Sequence, residues 1–177
     1  MADYYSPTVV RPSIAAEAIT SLEMAVLTQM FEFEADGDAI YFFSSEGPSD
    51  TIWLGIETLK AGLAEQAVMP CGLADIVREA LEAAGNDDEE IELDLSDLGG
   101  AGIFQSIVRR CEDLSAVVIT SAWTCTKMRP DGFGGGVTVV TADHILSGST
   151  AQMECELLDR AKAGEIGGTP GQEVGHG

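Results

Sequence analysis

Residues 117–141 read VVITSAWTCTKMRPDGFGGGVTVVT, and this segment determines the expected fold. Val117 to Met128 is a long β-prone run, and Val137 to Thr141 is a second one. The proline and glycines at 129–136 are typical of a hairpin connection. We therefore predict two antiparallel strands joined by this turn. The first run is long enough that we expect a bend or bulge within it.

Helical and strand patterns alternate on the N-terminal side of this hairpin. Apolar residues recur at helical spacing in 103–111 and from Leu73 to Ala84, which predicts two helices with one buried face each. Residues 91–95 alternate with acids at the period of two that is typical of a half-buried strand. Thr58 to Ala67 has a weaker helical pattern. A strand–helix–strand order therefore leads into the turn.

Two capping boxes predict where further helices begin. Thr20 is followed three residues later by Glu23, and Ser149 is followed in the same way by Gln152. In such a box the side chains and backbone amides of the first turn satisfy one another. Because apolar residues continue at helical spacing, the first helix is expected to run until Asp36-Gly37.

A short aromatic run predicts a strand from Ala39 to Ser44, with turn residues on both sides. Thr51 to Leu54 is expected to pair with it as a hairpin. The basic residues that would interleave a base-stacking platform are missing, so the aromatic side chains are assigned to the core. These aromatic residues are Tyr4, Tyr5, Phe42, Phe43, Trp53, Trp123 and Phe133.

The chain of 177 residues fits one domain. Residues 1–13 contain two prolines and no periodicity, and we expect them to form an extended N-terminal arm over the domain. Residues 164–177 are rich in glycine and are expected to be a disordered tail. Residues 14–163 are predicted to form a single α+β domain. Its sheet is expected to be antiparallel or mixed, with about four to six strands and helices mainly on one face.

The formal net charge of −21, from 30 acidic and 9 basic residues, disfavours several partners. Such a surface repels phosphates and anionic lipids, so we expect no direct nucleic-acid binding and no membrane association. A basic protein partner is favoured, although solubility or a salty habitat explains the same acidity. No apolar stretch approaches the length of a membrane span, and we expect a cytoplasmic protein. The 4 cysteines lie on apolar segments, which favours reduced, buried thiols over disulfides.

Two rows of acids are the first candidate site. One row follows a predicted helix face at steps of about 6 Å, and the other follows a predicted strand face at steps of about 7 Å. Such rows could imitate the phosphates of duplex DNA, which recur about every 3.4 Å along each strand. Outward-facing acids are also what any amphipathic element of an acidic protein shows, and this simpler interpretation is favoured. The rows are Asp75, Glu79 and Glu82, and Glu90, Glu92 and Asp94.

The glycine-rich turn is the second candidate site. Lys127 and Arg129 could neutralise an anionic small molecule, with Asp131 and Gly134 beside it, because glycines let backbone amides approach an anion. The spacing matches neither a Walker motif nor a dinucleotide fingerprint. A simpler interpretation is favoured, in which the glycines supply positive φ angles for the turn and the two cations pair with nearby acids.

No catalytic residue set, cofactor or metal site is predicted, because His144 is accompanied by no metal-binding or catalytic motif. The leading hypothesis is a non-enzymatic binding or regulatory protein that contacts a basic protein, with DNA mimicry as its narrowest form. The alternative is a small enzyme or ligand-binding protein that uses the glycine-rich turn. Tyr4 and Tyr5 on the arm could also pack against a second subunit, so a homodimer formed by arm exchange is a further hypothesis.

Three segments carry a resemblance to known sequences. They are Tyr4 to Val10, the aromatic run Tyr41-Phe42-Phe43 with Glu46-Gly47-Pro48, and TCTKMRPDGFG at 124–134. Together they resemble a family of uncharacterised bacterial proteins, proteobacterial and in some cases plasmid-borne, over most of residues 4 to 160. The resemblance implies a bacterial cytoplasmic protein. It implies no activity, cofactor or site residue.

Overall fold

The computed structural model describes residues 3–65, 72–85, 88–127 and 129–165. Most of the predicted tail, the end of the helix predicted to reach Ala67, Cys71 and Met128 lie outside the described residues. Within the described residues, Cys125 is buried as expected, whereas Cys111 is half-buried and Cys155 is exposed. These three cysteines are free thiols.

The described residues form ten strands and five α-helices. In chain order they are β1 (Tyr4–Tyr5), β2 (Thr8–Arg11), β3 (Ile14–Ala15), α1 (Ser21–Met30), β4 (Glu32–Asp36), β5 (Ala39–Ser44), β6 (Thr51–Gly55), α2 (Ile56–Glu65), α3 (Gly72–Ala83), β7 (Glu90–Asp94), α4 (Gly99–Arg110), β8 (Ala116–Cys125), β9 (Gly134–Thr141), β10 (Ile145–Ser149) and α5 (Thr150–Lys162). Short 3-10 turns occupy Ala16–Ala18 and Pro130–Gly132.

The α+β class is confirmed, but the predicted strand number is wrong. The main sheet has eight strands in the order β10-β9-β8-β2-β5-β3, with β1 paired to β8 and β4 paired to β5. All of its pairs are antiparallel. The predicted β8–β9 hairpin is present, with Val117 opposite Val140. The sequence pattern missed β4 and β10 and gave no signal for the two-residue strands β1 and β3.

The N-terminal segment does not lie over the domain as an arm. β2 occupies an inner position of the sheet, with Val10 opposite Ile119 of β8 and Val9 opposite Phe43 of β5. Val10 is buried, and the Thr8 hydroxyl lies 2.8 Å from that of Ser121. The expected extended conformation is therefore present, but it forms part of the sheet.

Two further expectations about strands were wrong. α1 ends at Met30, and the residues that continue its apolar pattern form β4, which joins β5 across a turn at Gly37 (φ 63°). The Asp-Gly pair therefore closes a hairpin instead of ending the helix. In addition, β6 pairs with β7 in a separate two-stranded sheet and not with β5.

One hydrophobic core lies between the main sheet, helices α1 to α4 and the β6–β7 ribbon. Alternate residues of the sheet, among them Val10, Phe42 and Val117, point into it, and the ring of Phe104 from α4 lies 5.8 Å from that of Phe42. The opposite face of the sheet, which we call the open face, carries the half-buried Val9, Tyr41 and Phe43 of β2 and β5 and the more exposed Val137 of β9. α5 borders this open face, where Met153 and Val137 line one cavity.

A buried ion pair ties α1 to α4. Glu23 is fully buried, and both of its carboxylate oxygens accept hydrogen bonds from the Arg110 guanidinium, at 2.9 and 2.5 Å. Arg110 also donates to the carbonyl oxygen of Ala18. The same carboxylate accepts from the Thr20 amide at 3.0 Å, which completes the predicted capping box. One residue therefore both caps α1 and fixes α4 against it.

Candidate functional site

The β6–β7 ribbon has one buried face and one exposed face. Ile52 and Leu54 alternate with Trp53 along β6, and Ile91 and Leu93 alternate with acids along β7. The four aliphatic residues are buried in the core. The period of two therefore leaves the tryptophan and the acids together on the outer face.

Trp53 is the centre of this outer face. It is 57% exposed and lies directly opposite Glu92, while Glu90 and Asp94 lie opposite Gly55 and Thr51. Side chains directly opposite one another have Cβ atoms about 5 Å apart, and diagonal neighbours are within reach of an aromatic ring. We call Trp53, Glu90, Glu92 and Asp94 the Trp53 surface. The structure thus places a large exposed ring among three carboxylates.

The carboxylates around this surface influence one another. The pKa of Asp50 is raised, mainly by partial burial and to a lesser extent by the negative charge of Asp94. Hydrogen bonds from the hydroxyl and amide of Ser96 lower the pKa of Asp94. Asp94 therefore stays ionised to lower pH, and its charge acts on a neighbouring acid. A cation bound here would relieve that repulsion.

The acidic row of α3 lies on an element next to the Trp53 surface, because α3 packs against β7. Asp75, Glu79 and Glu82 are all exposed, as the sequence predicts. Asp75 forms an exposed salt bridge with Arg78 at 2.5 Å, so part of its charge is neutralised. The two predicted rows are thus carried by neighbouring elements, and the β7 row is the one that adjoins an exposed aromatic ring.

The cations of the glycine-rich turn are exposed and are not paired with acids as the simpler interpretation expected. Lys127 and Arg129 form no salt bridge within the described residues. The turn does bring Arg129 and Asp131 close to Tyr4. The pKa of the Tyr4 phenol is raised by partial desolvation and by the charge of Asp131, and the nearby Arg129 only partly opposes this change.

The glycines of this turn serve close packing and not positive φ angles, contrary to the expectation. In the described part of the chain, the glycines with positive φ lie outside this turn, at Gly37, Gly47, Gly99 and Gly164. A Cβ atom on Gly132 would lie 2.3 Å from that of Cys125, and one on Gly134 would lie 2.8 Å from the Trp123 ring. Gly134, which was predicted to contact an anion, therefore makes room for an indole.

The cavities in the described part of the chain do not include the charged residues of the glycine-rich turn, although Gly135 and Gly136 line one of them. Two of them, of 490 and 510 Å³, are on the open face, and Thr120 lines both. The other three are lined by different elements, and none of these five includes Lys127, Arg129 or Asp131. Anion binding by the turn stays a prediction. Among the described residues, no group of three or more His, Cys, Asp or Glu side chains could hold a metal ion.

The assignment of the aromatic residues to the core was mostly wrong, and for this reason the sequence analysis missed Trp53 as a site residue. Only Phe42 of that set is fully buried, and Phe43 is half-buried. The remaining five, Tyr4, Tyr5, Trp53, Trp123 and Phe133, are exposed. A signal was present in the sequence, because Trp53 alternates with Ile52 and Leu54.

Comparison with known proteins adds no relative. No family model matches the chain, and no curated protein and no solved structure is significantly similar to it. The resemblance to uncharacterised bacterial proteins and the cytoplasmic location therefore stay predictions. Across the described residues, no helix has both the length and the apolar character needed to span a membrane.

Proposed function

We propose that this chain is a non-enzymatic cytoplasmic binding protein whose Trp53 surface engages a basic protein. One observation supports this proposal above all others: Trp53 is 57% exposed and lies directly opposite Glu92, with Glu90 and Asp94 on the same face. Tryptophan and charged residues in this arrangement suit an arginine or lysine side chain.

The chemistry of recognition follows from the two kinds of group present. An arginine laid on the indole ring gains a cation–π attraction of about 0.5–2 kcal/mol, and the flanking carboxylates accept its hydrogen bonds. Interface residues that contribute most of the binding energy are enriched in tryptophan. The net charge of −21 steers a basic partner toward the chain at low salt.

DNA mimicry is the narrower version of this function. The strand row of the Trp53 surface and the exposed α3 acids are carried by neighbouring elements, and in this version both rows contact a DNA-binding protein. In that version duplex DNA competes with the chain for its partner. In the broader version the partner is basic but its DNA-binding surface stays free.

The experiment is an affinity capture from a bacterial lysate at low and high salt, with the bound proteins identified by mass spectrometry. The bait is compared with Trp53→Ala and with the triple reversal of Glu90, Glu92 and Asp94 to lysine. We expect a basic protein that binds the unmodified bait, is lost at high salt, and binds both variants at least several-fold more weakly. Competition by duplex DNA then separates mimicry from the broader function.

Matched controls are available elsewhere on the surface. Phe33 is 53% exposed on β4, where its acidic strand neighbours face the opposite side, so Phe33→Ala removes an equally exposed ring from other surroundings. Reversal of Glu32, Glu34 and Asp36 to lysine makes the same change of net charge. Equal capture by the Trp53 variants and by these controls would contradict the proposal.

A further inference from the structure

α5 is a well-capped helix that buries none of its residues. Its first residue, Thr150, accepts a hydrogen bond from the Gly135 amide at 3.1 Å, and the helix contacts mainly β9 and β10. The helix nevertheless exposes three large apolar side chains, Met153 (60%), Leu157 (54%) and Leu158 (51%). We call these three residues the α5 surface.

An isolated helix of this length is only marginally stable in water, because most helical stability in proteins comes from packing of an apolar face. α5 has 13 residues, and a capping box contributes only about 1 kcal/mol. The apolar area also continues onto the sheet, where Val137 and Met153 line the same 490 Å³ cavity. A surface of this kind is typical of an interface.

The charges of α5 indicate what covers the α5 surface. Two of the 9 basic residues of this acidic chain, Arg160 and Lys162, lie in this one helix, which also carries Glu154 and Glu156. Residues four apart share a helix face, so Glu156 and Arg160 form one row and Glu154, Leu158 and Lys162 form another. The apolar row that contains Met153 and Leu157 runs between them.

Each charged row is complementary to the same row of a second copy when the two α5 helices run antiparallel. When two α5 helices pack antiparallel about Leu158, Glu156 of each copy lies opposite Arg160 of the other, and Glu154 lies opposite Lys162. Both pairs form in the same register, on opposite flanks of the apolar rows. A two-fold interface needs this property, since each contact occurs twice with the roles exchanged.

We propose that the chain forms a homodimer in which the α5 surfaces of two copies pack antiparallel about Leu158. The partner's apolar side chains cover Met153, Leu157 and Leu158, and the two flanking charge pairs fix direction and register. This arrangement differs from the predicted arm exchange, since it leaves β2 paired within its own sheet.

The existing ion pairs of α5 do not oppose this arrangement. Arg160 pairs with Glu165 at 2.6 Å and Lys162 with Asp159 at 3.4 Å, and all four side chains are more than half exposed. Exposed pairs of this kind contribute about 0–1 kcal/mol each, so exchanging or sharing partners across an interface costs little.

The test is a charge exchange on the full chain, followed by light scattering and sedimentation equilibrium. Glu156→Arg places arginine against arginine twice in the homodimer, and Arg160→Glu places glutamate against glutamate twice. We expect each variant alone to dissociate at least tenfold more readily than the unmodified chain. An equimolar mixture of the two variants should dimerise again, since both pairs are then complementary.

Controls separate this effect from net charge and from loss of the helix. Glu57→Arg and Lys60→Glu on α2 make the same changes of charge in an exposed salt bridge far from α5 in the chain, and they should leave the dimer intact. Leu157→Asp should give a monomer. Its circular dichroism spectrum should differ from that of the unmodified chain by no more than the helical signal of α5.

Three outcomes would overturn the proposal. They are an unmodified chain that is monomeric at high micromolar concentration, a dimer that both single variants retain, and dissociated variants that do not associate when mixed. A monomer in which the α5 amides are protected from hydrogen exchange would indicate that another segment of the same chain covers the helix.

Discussion

α1 and α5 begin with the same local device but differ completely in burial. Thr20 and Glu23 form the capping box of α1, and Ser149 and Gln152 form that of α5, with both reciprocal hydrogen bonds present in each. α1 buries five of its ten residues, whereas α5 buries none of its thirteen. A capping box therefore specifies where a helix begins and does not specify what the helix packs against.

The third residue of each helix, which closes the capping box, explains part of the difference. In α1 this residue is Glu23, whose carboxylate also binds Arg110 of α4 and is fully buried. In α5 it is Gln152, which binds only the first turn and remains exposed. The charge at this position connects α1 to the rest of the core, and α5 lacks such a connection within its own chain.

The largest effect is expected when this connection is removed. Arg110→Ala leaves the buried Glu23 carboxylate without its cation and should lower the free energy of unfolding by about 3–5 kcal/mol. The matched change Arg160→Ala, which removes an exposed pair from α5, should cost less than about 1 kcal/mol. Urea unfolding at a protein concentration that keeps the oligomeric state constant measures both. Equal losses would remove the distinction between the two helices.

A second pair of variants tests packing around each helix. A Cβ atom on Gly62 of α2 would lie 2.9 Å from the Cβ and 3.0 Å from the Cα of Leu22 in α1, where the backbone cannot yield easily. Gly62→Ala should therefore destabilise the fold by about 1–3 kcal/mol, less a helix-propensity gain of about 1 kcal/mol.

Gly148, in the strand that leads into α5, is the counterpart. A Cβ atom there would meet nothing within 4 Å, and its φ is not positive. Gly148→Ala should be neutral or stabilise by up to about 1 kcal/mol, because it restricts the unfolded chain. Thermal unfolding of the two variants, measured side by side, should show a lower midpoint for Gly62→Ala and an equal or higher midpoint for Gly148→Ala.

The caps themselves give a third, smaller contrast. Thr20→Ala should lower global stability by about 1 kcal/mol, since α1 belongs to the cooperative core. Ser149→Ala should instead increase hydrogen exchange in the first turn of α5 with little change in the global transition. If Ser149→Ala lowered global stability as much as Thr20→Ala does, α5 would belong to the same cooperative unit as α1.

The smallest effect concerns two carboxylates beside β6, which lies against α1. The pKa of Asp50 is raised by burial and by Asp94, so ionised Asp50 destabilises the fold above the usual carboxyl pKa. Asp50→Asn should stabilise the fold slightly at neutral pH, and the gain should disappear in acid. The pKa of Asp94 is lowered by Ser96, so Asp94→Asn should have the opposite sign, with a loss at neutral pH that disappears in acid. Urea midpoints measured from neutral to acid pH test both signs.

Local signals in the sequence were sufficient to predict most helices and strands but not which elements pack or pair with one another. Both capping boxes, the alternation of β7 and the β8–β9 hairpin were predicted from residues close in the chain. The helical spacing that begins in α1 continues by chance into β4, so the Asp36-Gly37 signal was interpreted as a helix end instead of a hairpin. Periodicity cannot separate these alternatives over so short a segment.

The incorrect predictions about residues that are far apart in the sequence have a different origin. Nothing near Trp53 in the sequence indicates that β6 pairs with β7, whose residues lie about forty positions later. The acids of the candidate site were predicted from the sequence, but their combination with an exposed tryptophan depends on that pairing. Likewise, the two prolines that bracket β2 predict an arm, although proline is also tolerated next to a strand.

The inner position of β2 also affects how the chain is made in the cell. Thr8 and its hydrogen-bonding partner Ser121 are 113 residues apart, so β2 leaves the ribosome long before β8 exists. Until then its two valines and its unpaired backbone groups are open to other strands, including those of neighbouring nascent chains. Closure of the sheet must await synthesis of β8, and pairing over such a separation is intrinsically slow. The yield of folded protein is therefore expected to fall when chaperones are scarce during this interval.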